Sequence, residues 1–222
     1  TIIIKSPTQN EFNGNEAPDY NISIDEPYIN STWYTLDGGT TNIPFSGFTG
    51  TINQTEWDKK EDGTVTIRFY ANDTLGNEGY DEVSVRKDSI APTSSISYNI
   101  YREPNGVNKS TIFTLIANDG GGSGVSTIRY KINDSAWFEY STPFNLSQYA
   151  YGDIRISYHS IDEVGNNEEE NSLIVELIDV RPSGPSDTLI MIIIIVGSIM
   201  GVVGVGIITF LLRKKKRAIV EE

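Results

Sequence analysis

The sequence predicts an all-β chain of two tandem β-sandwich domains followed by a single transmembrane α-helix. Three observations predict it. VTIRFYANDTLGN at residues 65–77 returns as IRISYHSIDEVGN at 154–166, both copies alternate apolar and polar residues, and 25 residues near the C-terminus carry no charge. The first two read as strands of a duplicated β domain, and the third as a membrane span.

The elements follow in chain order. In residues 1–90, Tyr20, Ile22 and Ile24 alternate along DYNISID, Tyr34 and Leu36 along WYTLDGG, and Val65, Ile67, Phe69 and Ala71 along the repeated phrase. A period of two with one apolar face is a half-buried strand. Residues 91–180 repeat the order: Phe113, Leu115 and Ala117, then Tyr130 and Ile132, then Ile154, Ile156, Tyr158 and Ser160. Each phrase closes on D-x-x-G-N (Asp73 to Asn77, Asp162 to Asn166), which reads as a hairpin connection because Gly accepts φ > 0 and Asp accepts nearby backbone N–H groups. KDSIAPTSS at 87–95 marks the boundary between the copies, with Pro92 stiffening a short connector. No amphipathic helix is expected in either copy. Two domains of about 40 Å each would project about 80 Å.

RPSGPSD at 181–187 is a juxtamembrane linker, and 188–212 is the transmembrane helix, at 1.5 Å per residue roughly 37 Å long and enough to cross a bilayer. RKKKR at 213–217 opens a cytoplasmic tail, 213–222, and fixes the orientation with residues 1–187 outside the cell membrane. Gly197, Gly201 and Gly204 share one face of the span and predict self-association into a homo-oligomer. Thr1 is not an initiator Met, and the first residues contain no export signal, so a processed or partial chain is expected.

Residues 123–137 (SGVSTIRYKINDSAW), YSTPF at 140–144 and A-x-D-x-x-G-N at 71–77 resemble the immunoglobulin-like repeats of large bacterial and archaeal cell-surface proteins. The resemblance covers nearly all of residues 1–180. It implies two tandem immunoglobulin-like β-sandwiches serving as stalks, spacers, adhesins or accessory modules of exported enzymes. It supplies no catalytic residue.

Composition narrows the function classes. Residues 1–187 hold 12 basic against 28 acidic residues, a net of −16 that argues against nucleic acid. There is no cysteine, hence no disulfide, thiolate metal site or cysteine nucleophile. The single histidine, His159, occupies the outward strand position that Tyr70 fills in the first copy, and no nucleophile–base motif accompanies it. Asp25-Glu26, Asp162-Glu163 and Glu168–Glu170 read as solvated loop charge. No enzyme activity is expected.

Three binding readings stand. Asp25, Glu26, Asp73, Asp119 and Asp162 lie near strand ends and offer oxygen ligands to calcium at a joint between domains, although turn geometry accounts for the same residues. Seven N-x-S/T sequons, at Asn21, Asn30, Asn53, Asn72, Asn108, Asn133 and Asn145, predict glycosylation outside the membrane, with Asn21, Asn72 and Asn133 pointing to solvent. Trp57, Tyr98, Tyr101, Tyr149 and Tyr151 are placed in or near loops, where a coplanar set would stack on a glycan, although such residues more often close the ends of a sandwich core, and Trp33 and Trp137 are expected to anchor the cores. The expected role is therefore a single-pass cell-surface protein acting as an adhesive or spacer module, with the bilayer and a surface protein or glycan as partners. The alternative is the membrane-proximal stalk or an accessory, carbohydrate-binding module of a larger exported enzyme or receptor.

Overall fold

The computed structural model describes residues 1–180. The first half runs β1 (Ile2–Ser6), β2 (Phe12–Asn13), β3 (Asp19–Ile24), β4 (Ile29–Thr35), β5 (Ile43–Pro44), β6 (Thr49–Thr51), α1 (Gln54–Asp58), β7 (Gly63–Asp73) and β8 (Glu78–Lys87). The second runs β9 (Thr93–Ser97), β10 (Gly106–Val107), β11 (Thr114–Asn118), β12 (Val125–Ile132), β13 (Phe138–Glu139), β14 (Gly152–Asp162) and β15 (Asn171–Leu177).

One strand order is used twice. The first half has sheets β1-β3-β6 and β2-β8-β7-β4-β5, and the second has β9-β11 and β10-β15-β14-β12-β13. In each half the N-terminal strand divides between the two sheets, and its second piece joins the last strand in parallel (β2 with β8, β10 with β15). This is an immunoglobulin-like sandwich arrangement. The registers agree too: Val65 faces Val85 and Ile67 faces Val83, as Ile154 faces Val175 and Ile156 faces Leu173. Both halves also bulge at the same place, between Ile29 and Ser31 opposite Asp73, and between Val125 and Thr127 opposite Asp162.

Each half has its own core. Ile22, Tyr34, Ile67, Phe69 and Val85 fill the first, and Phe113, Ile132, Leu146, Ile156 and Val175 the second, so the expected inward faces are the buried ones. Thr1–Ile178 nevertheless close into one compact unit.

Two of the three tryptophans, Trp33 and Trp137, depart from expectation. Trp57 is fully buried (0% exposed), because a short helix absent from the second half folds its indole onto the first core, where Nε1 donates to Gly14 O at 3.1 Å. Asn53 caps that helix, its Oδ1 accepting the Glu56 N–H at 3.1 Å, and Lys87 Nζ closes the other end by donating to the carbonyls of Trp57 (3.0 Å) and Lys60 (2.8 Å). Trp33 instead stacks on Tyr70 on the outward face of β4 and β7, and Trp137, 39% exposed, leans on His159. Neither anchors a core.

Among the described residues no helix is long and apolar enough to cross a membrane. The linker, the span at 188–212 with Gly197, Gly201 and Gly204, and the basic tail lie outside the described residues.

Candidate metal centre between the two halves

The connector and two turns of the second half meet at one point. Asp88 follows β8 in the connector, Asp119 opens the Gly-rich turn after β11, and Asp162 ends β14. One carboxylate oxygen from each lies within 4.8 Å of the others. Asp88 and Asp162 are only 4% and 2% exposed. At that separation, in an effective dielectric of about 20, each pair of carboxylate charges repels by roughly 3 kcal/mol. None of the ion pairs among the described residues involves any of the three.

Backbone donors hold the carboxylates in place without neutralising them. Asp88 Oδ2 accepts from Ser123 N at 2.6 Å, Asp119 Oδ2 from Gly124 N at 2.7 Å, and Asp162 Oδ1 from Val164 N at 3.0 Å and Asn166 N at 2.8 Å. Asp162 Oδ2 accepts from Asn166 Nδ2 at 2.7 Å. Two oxygens at the same place, Asp119 Oδ1 and Ser123 Oγ, are buried with no hydrogen-bond partner. A buried acceptor left unpaired costs about 1–3 kcal/mol, and here the uncompensated groups converge beside like charge. Gly122 makes the approach feasible, since a Cβ there would stand 2.6 Å from Asp88 Oδ2 and 2.7 Å from Asp119 Oδ2.

The donor set is oxygen only. Without His or Cys it does not suit zinc, whereas a hard cation with oxygen ligands at about 2.3–2.6 Å and an irregular shell of 6–8 does. The spread of the three oxygens fits that radius.

Of the calcium candidates, Asp119 and Asp162 come together here, and Asp88 joins them. Asp73 is instead held by its own turn, accepting from Leu75 N (2.8 Å), Asn77 N (2.9 Å) and Asn77 Nδ2 (2.8 Å), which lower the affinity of its carboxyl for protons. Asp25 is exposed at the end of β3, where its N–H bonds the Thr1 carbonyl. Neither Asp25 nor Asp73 belongs to a cluster of three acids among the described residues. The expectation of solvated loop charge fails for Asp162, which is buried, and for Glu168, whose carboxylate accepts from the N–H and hydroxyl of both Ser94 and Ser160 and from Asn171 Nδ2. Asp88 escaped sequence reasoning because its neighbours read as linker. Its place immediately before the second copy was the available signal.

The seven sequon asparagines all lie in the described region. Asn53, Asn72, Asn108, Asn133 and Asn145 use the side-chain oxygen, toward Glu56, Ser31, Ser110, Arg155 and Ser147 backbone N–H groups respectively. Asn21 is exposed, and Asn30 Nδ2 reaches Asn72 Oδ1 at 3.5 Å. Asn133 is exposed, as expected, and Asn72 is half-buried. Of the aromatic set expected near loops, Tyr101 and Tyr151 are exposed, while Tyr98 and Tyr149 pack against the second core beside Phe113 and Tyr130. His159 Nδ1 pairs with Asn167 Oδ1 at 2.6 Å.

No protein-family model and no curated protein matches the chain. Among solved structures it is similar to the fibronectin(III)-like modules of Clostridium thermocellum CbhA, at 12% identity over 82% of this chain and 98% of that one, TM-score 0.41. It is similar to a 1.5-MDa bacterial ice-binding adhesin, at 11% identity over 81% of this chain and 65% of that one, TM-score 0.45. A third is a Ca²⁺-stabilised adhesin of an Antarctic bacterium, at 14% identity over 82% and 49%, TM-score 0.42. The chain therefore spans nearly all of the first, just under two thirds of the second and about half of the third.

Proposed function

We propose that this chain is a non-catalytic cell-surface module, an adhesive or spacing stalk whose two sandwiches are joined through a calcium ion held by Asp88, Asp119 and Asp162. The observation that carries the reading is the convergence of three carboxylates from three segments, with two buried unpartnered oxygens, at the place where the halves meet. A stalk transmits position only if its joint is stiff, and a cation shared by connector and domain stiffens it at small cost in sequence. The apolar stretch 188–212 would anchor the module in a bilayer with residues 1–187 outside the cell, and the sequons would carry glycans on the exposed surface.

Thermal unfolding of the full chain in calcium and in chelator tests the reading. A melting temperature that rises with calcium supports it. Identical curves, with no calcium bound by titration calorimetry, overturn it.

A further inference from the structure

Asn166 makes every one of its side-chain bonds at the joint. Nδ2 donates to Asp162 Oδ2 at 2.7 Å and to the Asp88 carbonyl at 2.9 Å, and Oδ1 accepts from Asn15 Nδ2 at 3.2 Å. Asp162 belongs to the acidic trio, Asp88 to the connector and Asn15 to the loop between β2 and β3 of the first half. Alongside it, Gly14 approaches Val164 so closely that a Cβ would stand 3.2 Å from the Val164 carbonyl oxygen.

The repeat provides an internal comparison. Asn77, the same position of D-x-x-G-N in the first copy, gives the same backbone and side-chain bonds to Asp73, and its side chain makes no other hydrogen bond among the described residues. The bonds to Asp88 and Asn15 are thus an addition found where the two halves meet, not a requirement of the turn.

We infer that Asn166 is a positioning residue that couples cation occupancy at Asp88, Asp119 and Asp162 to the orientation of the two halves, an inference that rests on the calcium reading above. A cation draws the Asp162 carboxylate toward Asp88 and Asp119. Asn166, fastened to that carboxylate, carries the movement to the connector carbonyl and to Asn15. Groups that hydrogen-bond a metal-ligating carboxylate typically alter metal affinity by about 10-fold to 100-fold when removed.

The absence of cysteine makes the test direct, since Ser46→Cys and Ser141→Cys, both at exposed positions, place one spin label on each half of the full chain. Distance distributions between the labels are recorded in chelator and in saturating calcium, and calcium affinity is measured by calorimetry. The parent chain is expected to narrow its distribution in calcium. Asn166→Ala is expected to bind calcium about tenfold more weakly and to keep the broad distribution at saturation. Asn77→Ala is expected to match the parent in both readouts. Asn15→Ala, which leaves the trio intact, is expected to keep the affinity and lose narrowing, and it decides alone if Asn166→Ala does not fold. Parent-like narrowing in both Asn166→Ala and Asn15→Ala overturns the coupling while leaving calcium binding intact. A parent chain that binds no calcium overturns the calcium reading and the coupling with it.

Discussion

Gly122 lies so close to Asp88 that a single added methyl group would overlap its carboxylate: the Cβ position is 2.6 Å from Asp88 Oδ2 and 2.7 Å from Asp119 Oδ2. Such distances are not tolerated by real side chains, so the Gly-rich turn must shift if any other residue stands there. Gly122→Ala is expected to cost about 1–3 kcal/mol and to abolish the calcium-dependent rise in melting temperature. Gly79→Ala, with open space around its Cβ, is the control and is expected to stay within about 0.5 kcal/mol. Equal behaviour of the two variants in calcium would sink the assignment.

Asp119 supplies the buried oxygen with no partner, and its amide analogue separates repulsion from ligation. In Asp119→Asn one of the three converging carboxylate charges is gone and an N–H donor stands among the remaining acidic groups. Stability in chelator is expected to rise by about 1 kcal/mol. The parent chain should gain about 2.7 kcal/mol at calcium 100-fold above its dissociation constant, and the variant nothing. Parallel melts in chelator and calcium measure both. A variant less stable than the parent in chelator would show that the carboxylate is needed for the turn alone.

The two sandwiches were legible in the sequence because alternation is local: Ile67 and Ile156 are buried for the reason that Thr66 and Arg155, their neighbours, are not. The acidic trio is not local. Asp88, Asp119 and Asp162 come from three segments, and each has a sufficient private explanation as a linker or turn residue. Their shared environment exists only once β8, β11 and β14 are assembled. Trp57 closes the first core through α1, an insertion that the second half lacks, so the repeat holds no counterpart from which its depth could be read. Trp33 and Trp137 lie on the outward faces of their sheets, where stacking on Tyr70 and a tilted ring contact with His159 respectively cover them in part.

Glu168 ties the two sheets of the second half together, accepting from Ser94 on β9 at 2.8 and 2.5 Å and from Ser160 on β14 at 2.9 and 2.7 Å. Burial by itself raises its pKa, but the hydrogen bonds from Ser94, Ser160 and Asn171 outweigh burial and hold it below the usual glutamate value. A carboxyl that binds protons more weakly when folded contributes stability above its unfolded pKa, about 4.3, and loses that contribution as pH falls through the folded value. Chemical denaturation of the parent in chelator is therefore expected to weaken below about pH 5. Glu168→Gln should be about 2 kcal/mol less stable at pH 7 and should converge on the parent in acid. A constant difference between pH 7 and pH 3 would show that the carboxylate charge has no part in the clamp.

Asn53 serves the fold through one atom and offers glycosylation another. Its Oδ1 caps α1 by accepting the Glu56 N–H at 3.1 Å, and no hydrogen bond among the described residues draws on Nδ2, the atom to which a glycan is attached. Modification and capping are compatible, which lets two substitutions divide them. Asn53→Gln is expected to remove the glycan and to cost about 1 kcal/mol through the lost cap, loosening the turn that buries Trp57. Thr55→Ala destroys the sequon and leaves the cap, so it should remove the glycan with stability changed by less than about 0.5 kcal/mol. Peptide mapping of protein from its native host reads occupancy, and thermal melts read the cap. An unmodified Asn53 peptide as the only form in native material would dismiss glycosylation at this site, and an unaltered melt of Asn53→Gln would dismiss the cap.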